Sequence, residues 1–383
     1  MKLFCKKCNK VFTADSQDSP VVNCPVCNAE ISRPEEGLSA GVVIGDFVIE
    51  KSINKGGMGE VFLATQISLD RPVALKVLQS EFTNDQEYID SLFREARAAA
   101  RINHPNIVQA YAVGNDDGHY YLAMELVTGD TLKQILRDKG AISPLRSAEI
   151  IRDIAQALDT AWREQKLVHQ DIKPDNIMIN ANGVAKLADL GLAKTATVKE
   201  QVLESADEVL GTPQYISPEQ LTGVATDVRS DIYSLGATFY HIVTGKLPYR
   251  ATDMMELAQM HNSGNLVPPK EIKEDLPDQI NRIIIKMMAR NIEQRYQSAA
   301  DLAADLKKFI DSEKNKPTLS EEKDDTQAGK TMPQVSAPQV PKIPVVKGPK
   351  IAVAPTITLQ NNPAAQPKPS VPSRPVMPPF YPP

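Results

Sequence analysis

The stretch "LVHQDIKPDNIMI", residues 167–179, decides the fold. It sets Asp171, Lys173 and Asn176 close together and follows them with the apolar run Ile177-Met178-Ile179. A second acid, Asp189, follows in "KLADLGLAK", just before a Leu-Gly turn. Asp and Asn side chains are hard oxygen ligands, and Mg²⁺ takes one or two such groups together with phosphate oxygens. A further carboxylate can accept a proton from an attacking hydroxyl. A lysine beside it can neutralise a phosphoryl group in transfer.

Upstream pieces extend this chemistry. "INKGGMGEVFLA", residues 53–64, holds Gly56, Gly57 and Gly59 between two strand-like runs. Backbone amides free of side chains there can face phosphate oxygens. In "RPVALKV", Ala74 and Lys76 point to one face of a strand, where a flat base fits beside a phosphate. "FREARAAARI" carries Glu95 close to the apolar face of a predicted helix. Each piece has a plainer reading. Glycine hairpins are often only hairpins, a strand lysine is more often solvated, and a helix glutamate usually decorates a surface.

Taken in chain order the pieces are no longer independent, and the sequence resembles the protein kinase family. The glycine loop, "VALK", the helix glutamate, "HQDIKPDN", "DLG", "GTPQYISPEQ" (211–220) and "SDIYSLGATFYHIVTGKLPY" (230–249) occur in order across residues 45–312. The match is closest to bacterial Ser/Thr kinases of the eukaryotic-like type. The resemblance implies an α+β bilobal fold, with a small β-rich N-lobe before a larger α-rich C-lobe. It implies Asp171 as catalytic base and Lys173 as partner of the γ-phosphate. Asn176 and Asp189 would hold Mg²⁺ (or Mn²⁺), and Lys76, paired with Glu95, the α and β phosphates of ATP. Ile53, Gly56, Gly57, Gly59 and Val61 would line the nucleotide with Ala74 and Met178. Met124 would precede the hinge, where Glu125 and Val127 offer backbone bonds to adenine. Arg295 would pair with Glu219 of "SPE". Lys173 and Thr212 fit the Ser/Thr class rather than the Tyr class.

Three positions depart from the family pattern. Asn54 stands at the first loop glycine, where Asn tolerates positive φ better than most residues. Leu190 replaces the Phe of D-F-G. Gln170 replaces the Arg of H-R-D, which would hold a phosphate on the activation segment. Gln170 cannot form that fork. Phosphate on Thr195, Thr197 or Ser205 should therefore gain little, unless Lys194 or Lys199 serves as a point charge.

The flanks read differently. Cys5-Lys-Lys-Cys8 and Cys24-Pro-Val-Cys27 are two C-x-x-C pairs with 15 residues between them. Two such turns make a tetrahedral S₄ site suited to structural Zn²⁺, so residues 1–32 are expected to form a zinc ribbon and 33–44 a linker. Disulfides or free thiols are the alternatives. All four cysteines of the 383-residue chain fall in its first 27 residues, which favours a reducing, cytoplasmic setting. Residues 313–383 contain 16 of the 29 prolines, no hydrophobic periodicity and, from Thr326 on, a net charge of +6. This tail is expected to be disordered, with Thr331, Ser336, Thr356, Thr358, Ser370 and Ser373 as candidate self-phosphorylation sites.

The net charge of −5 leaves −11 on residues 1–325, which argues against nucleic acid as a partner despite Lys2, Lys6, Lys7 and Lys10. No apolar run of membrane-spanning length occurs. The expected partners are protein substrates, with ligands of the ribbon and tail open. The competing function is a nucleotide-binding pseudokinase scaffold; Lys76, Glu95, Asp171, Asn176 and Asp189 are all present and argue for activity.

Overall fold

The computed structural model describes residues 1–14, 20–34, 37–56, 59–79, 86–189, 213–251 and 254–316. These all fall within one compact unit, Met1–Leu319. Gly57, Leu190, Lys194, Lys199, Thr195, Thr197, Ser205, Thr212 and the proline-rich tail lie outside the described residues.

Two small hairpins open the chain. β1 (Lys2–Cys5) pairs antiparallel with β2 (Lys10–Thr13), and β3 (Val21–Asn23) with β4 (Glu30–Ser32). Leu3, Cys5, Phe12, Ala14 and Cys24 form a core of their own. So few apolar side chains cannot hold a fold of this size alone, which makes the thiols the natural staple.

A six-stranded antiparallel sheet follows, in the order β5-β6-β7-β8-β10-β9. Its strands are β5 (Val43–Ile44), β6 (Phe47–Gly56), β7 (Gly59–Gln66), β8 (Arg71–Leu78), β9 (Ala110–Asp116) and β10 (His119–Glu125). β5 lies within residues expected to be linker. Val42, Val43 and Ile44 are buried apolar residues, and pairing with β6 satisfies backbone that a free linker would expose. Period-two alternation sorts the sheet's side chains. Phe47, Ile49, Phe62, Ala64, Val73, Leu75, Val77 and Ala123 fill one core. On the opposite face Lys76 stands across from Val61 and Leu122, and Ala74 across from Leu63 and Met124. The helix α1 (Gln86–Ala100) packs on β9.

The remainder is mostly helical. β11 (Gly129–Thr131), β12 (Ile177–Asn180) and β13 (Ala185–Leu187) make a three-stranded sheet beside α2 (Leu132–Lys139) and α3 (Pro144–Gln165). Then come α4 (Pro218–Leu221), α5 (Val228–Thr244), α6 (Met254–Ser263), α7 (Pro269–Ile272), α8 (Asp278–Met287) and α9 (Ala299–Lys314). Nearly every residue of α5 is buried, the signature of a helix enclosed by its neighbours. Gly236 lets α8 reach it, since a Cβ there would lie 2.7 Å from Met287 Cβ. The lobe order and the main helices follow the sequence reading, with ends shifted by a few residues.

The Glu219–Arg295 pair implied by the resemblance is present and double. Arg295, 2% exposed, donates to the two Glu219 oxygens at 2.7 and 2.9 Å, and Ser230 Oγ adds a third bond at 2.6 Å. Burial raises the Glu219 carboxyl, but the guanidinium fork outweighs it and holds the group below its ordinary value. Removing one partner strands a buried charge, so Arg295→Ala should cost about 3–5 kcal/mol in denaturant unfolding. Because the folded carboxyl is depressed, its contribution is present above the ordinary glutamate range and is lost as pH falls below it. Chemical denaturation at neutral pH and under acid checks both statements.

Candidate active site

The opening motif hangs on one buried acid. Asp231 of α5, 1% exposed, accepts the backbone N–H groups of His169 at 2.7 Å and Gln170 at 2.8 Å. Gln170 sits at φ +66°, a strained value for a non-glycine residue, and those bonds hold it there. His169 is fully buried. Its Nε2–H donates to the Ala188 carbonyl at 2.8 Å, and its Nδ1 accepts the Asp171 N–H at 3.3 Å. One imidazole thus ties the Asp171 loop to the residue before Asp189.

Asp171, Lys173 and Asn176 converge. Asn176 donates to the Asp171 carbonyl at 2.7 Å and to its Oδ2 at 2.9 Å, and Lys173 Nζ lies 2.9 Å from the same carboxylate. The Asn176 carbonyl accepts Ala188 N–H at 2.8 Å, which sets Asp189 beside this group. Asp189 stands at φ +57° and its Oδ1 pairs with Lys76 at 3.0 Å. Burial raises its carboxyl, but Lys76 beside it outweighs that and holds it below the usual carboxylate range. Lys76 therefore joins the N-lobe sheet to Asp189, beside Asp171, Lys173 and Asn176 of the C-lobe. The resemblance implied Glu95 as the partner of Lys76; the ion pair Lys76 makes in the structure is with Asp189. Glu95 lies buried on α1 and accepts Ser91 Oγ at 3.4 Å.

Four of the nucleotide-lining candidates share one face of the sheet. Val61, Ala74, Lys76 and Met124 share it by register, and so do Leu63 and Leu122, which the sequence reading did not name. Strand alternation from Val61 reaches Leu63, and from Met124 it reaches Leu122. A register break at Ile53, just before Asn54, marks a bulge, and the Ile53 side chain is exposed beyond it. Met178 lies in β12 opposite Lys186. The Glu125 carboxylate pairs with Lys186 at 2.9 Å and its N–H is held by the Gln109 carbonyl at 2.8 Å. Val127 lies in the short segment between β10 and β11.

The glycines divide into two kinds. A Cβ on Gly59 would lie 2.3 Å from the Val77 carbonyl oxygen, so the close approach of β8 requires glycine there. A Cβ on Gly56 would meet no described atom nearer than 3.9 Å, so packing does not require glycine there.

The Gln170 side chain turns away from the Asp171 carboxylate. Its side-chain NH₂ donates to Thr226 Oγ1 at 2.5 Å, and its backbone carbonyl accepts Gln220 Nε2 at 2.8 Å. Neither partner was legible from "HQD" alone.

The four thiols also gather. Cys5 and Cys27 sulfurs lie 3.6 Å apart, Cys8 and Cys24 sulfurs 3.7 Å, and all four within 4.8 Å of one another. Each knuckle ends in an asparagine at positive φ, Asn9 at +54° and Asn28 at +55°, whose N–H returns to the carbonyl of Cys5 or Cys24. "CKKCN" and "CPVCN" carried that signal, since Asn adopts the left-handed conformation readily.

A model of the protein kinase domain matches residues 47–306. The chain belongs to the protein kinase family. Among similar proteins, a probable serine/threonine-protein kinase of Clostridium acetobutylicum is 39% identical over 267 residues, 70% of this chain and 40% of that protein. The serine/threonine-protein kinase PrkC of Bacillus subtilis is 34% identical over 315 residues, 82% of this chain and 46% of that one. The kinase thus spans less than half the length of these curated relatives. Among solved structures, the PknI kinase domain of Mycobacterium tuberculosis superposes with a TM-score of 0.58 at 25% identity, covering 71% of this chain and 99% of that one. Among the described residues of the kinase, no helix is long and apolar enough to cross a membrane.

The two kinds of glycine predict different outcomes. Gly59→Ala should lower stability by about 1–3 kcal/mol, the usual cost of forcing an extra methyl into packed structure, whereas Gly56→Ala should leave it nearly unchanged. Thermal unfolding of both variants checks this; equal effects would contradict the packing reading.

Proposed function

We propose that the kinase is active: it transfers the γ-phosphoryl group of ATP to serine and threonine hydroxyls of proteins, itself included, in bacterial signalling. The observation that supports this best is the convergence of Asp171, Lys173 and Asn176 with a Lys76–Asp189 pair that links the two lobes. A bound Mg²⁺ (or Mn²⁺) would offset the negative charge of the ATP phosphates. Asn176 and Asp189 are the hard oxygen donors suited to hold it. Asp171 takes the proton of the acceptor hydroxyl, and Asn176 holds it for that role by one bond to its backbone carbonyl and one to its carboxylate. Lys173 offsets charge on the moving phosphoryl group, and Lys76 clamps the phosphates behind it. A pseudokinase would commonly lack one of these groups. The acceptor class rests on Lys173 and on the named relatives.

The thiol cluster suits structural Zn²⁺. With Zn–S near 2.3 Å, a tetrahedron has S···S edges of about 3.8 Å, close to the separations present here. The four-sulfur donor set excludes hard cations such as Mg²⁺. A cytoplasmic, reducing location and phosphorylation of the tail belong to the same proposal.

Asp171→Ala and Lys76→Met should each lower phosphoryl transfer by about 10³-fold or more while the fold is kept, because such electrostatic groups are worth that much. A labelled-ATP assay against a cell extract decides it; more than a tenth of the parent rate in both variants refutes the roles. Metal analysis should find one zinc per chain in the parent and none in a Cys5→Ser, Cys8→Ser variant.

Gln170 has its amide nitrogen on Thr226 and no charge to offer a phosphate. Enzyme dephosphorylated on Thr195, Thr197 and Ser205, or the triple alanine variant, should stay within about tenfold of the phosphorylated rate. A larger drop, above about 1.4 kcal/mol of barrier, would mean that the segment is switched by phosphate.

A further inference from the structure

Strand β1 performs two tasks in four residues. Leu3 and Cys5 face the ribbon core, where Cys5 is one of the four thiols. Leu3 and its neighbour Phe4 also touch the N-lobe. Leu3, wholly buried, forms an antiparallel bridge to Val42, and the Phe4 N–H donates to the Gly41 carbonyl at 3.3 Å. Gly41 and Val42 are gripped on their other side by Ile49 of β6, through bonds of 2.9 and 2.8 Å. β6 ends at Gly56, in the glycine loop.

Lys2 completes the contact. Its ammonium lies 2.5 Å from Asp116 Oδ1 at the end of β9, and Asp116 Oδ2 accepts the Gly45 N–H at 2.7 Å in the turn between β5 and β6. β5 and β9 are the two opposite edges of the six-stranded sheet. Asp116 therefore closes the sheet on itself, and the Lys2 ammonium from the ribbon neutralises it there. The Lys2 ammonium and the Gly45 amide together hold the Asp116 carboxyl below its usual range. The position is tightly packed, since a Cβ on Gly45 would lie 2.4 Å from Tyr121 Oη.

We infer that the ribbon is a zinc-dependent clasp on the N-lobe. Metal held by Cys5, Cys8, Cys24 and Cys27 keeps β1 folded, β1 keeps the sheet edges closed at Asp116, and the closed sheet positions the glycine loop for nucleotide. Lys2 and Asp116 are positioning residues, not catalytic ones. The direction of coupling follows from size. A ribbon of about 30 residues depends on its metal to fold, whereas the larger lobe has its own core. Zinc loss should therefore free residues 1–14 first and loosen 41–52 and 114–121 next, without unfolding the kinase domain. This rests on the zinc and ATP readings proposed above, and the experiment separates them.

The test uses the full chain, purified with its zinc and then stripped by a chelator that is afterwards removed. Zinc content, hydrogen exchange along the chain and binding of a fluorescent ADP analogue are measured in both forms and after zinc is restored. The expectation is faster exchange confined to 1–52 and 114–121 and a two- to tenfold weaker ADP analogue, both reversed by zinc; this is the scale of a partly exposed ion pair together with one apolar anchor. Lys2→Ala should retain its zinc yet show part of the same loosening and loss of affinity, and Lys2→Arg should restore both. No zinc in the parent protein, or no ADP binding by it, overturns the respective underlying reading and the clasp with it. If zinc leaves while exchange at 41–52 and 114–121 and ADP affinity stay unchanged, both readings stand and the clasp alone is refuted. So too if Lys2→Ala matches the parent in every measurement.

Discussion

The carboxylate of Asp231 is the constraint from which the rest of the site descends. It is buried in a central helix and pinned to two consecutive backbone N–H groups, those of His169 and Gln170. A buried charge that accepts two such bonds is both satisfied and immobile. It fixes the strained turn at Gln170, and the turn sends His169 inward and Asp171 outward. His169 then carries the constraint to Ala188, one residue before Asp189. A single acid on α5 thus orders two loops that are distant in sequence. The lobe above is joined both through a charge pair and through apolar packing, since Ala99, Ile102 and Ile107 enter the same core as α3 and α5. Lys76 of β8 reaches Asp189, so the relative position of the lobes can respond to whatever competes for either charge.

Much of this was legible because spacing encodes it. Asp171, Lys173 and Asn176 lie so near one another in sequence that a tight loop has little choice but to gather them, and the cysteine pairs are self-contained turns. Alternation in "RPVALKV" placed Ala74 and Lys76 on one face, as found. What escaped the sequence was determined by tertiary neighbours. No local rule distinguishes Gly59, required by the Val77 carbonyl, from Gly56, which has open space. The choice of Asp189 over Glu95 by Lys76 depends on how α1 and β8 sit in three dimensions. Thr226 as partner of Gln170 lies 56 positions away, with nothing in its surroundings to announce it. The end of the expected linker was misread for a related reason. Val42, Val43 and Ile44 are too few to show a period, and only the sheet edge and β1 beside them make them strand-like.

Gln170 illustrates how a substitution in a family motif can alter one property and spare another. Its backbone occupies the place that Asp231 demands of whichever residue stands there, so the geometry of Asp171 is kept. Its side chain is short and neutral and finds a hydroxyl in its own lobe. Stabilising the loop and reading a phosphate are separable tasks, and only the second needs a guanidinium.

The closure at Asp116 has a consequence for how the protein behaves in a crowded solution. Open sheets present edge strands whose unpaired amides and carbonyls can recruit a strand from another molecule. In this lobe one edge is the two-residue β5, flanked by Val42, which β1 covers, and the other is β9, whose end is tied across to the β5–β6 turn. A short edge and a tethered edge are both poor templates for strand addition. The same few residues that seat the ribbon therefore also make the folded lobe a poor template for strand addition.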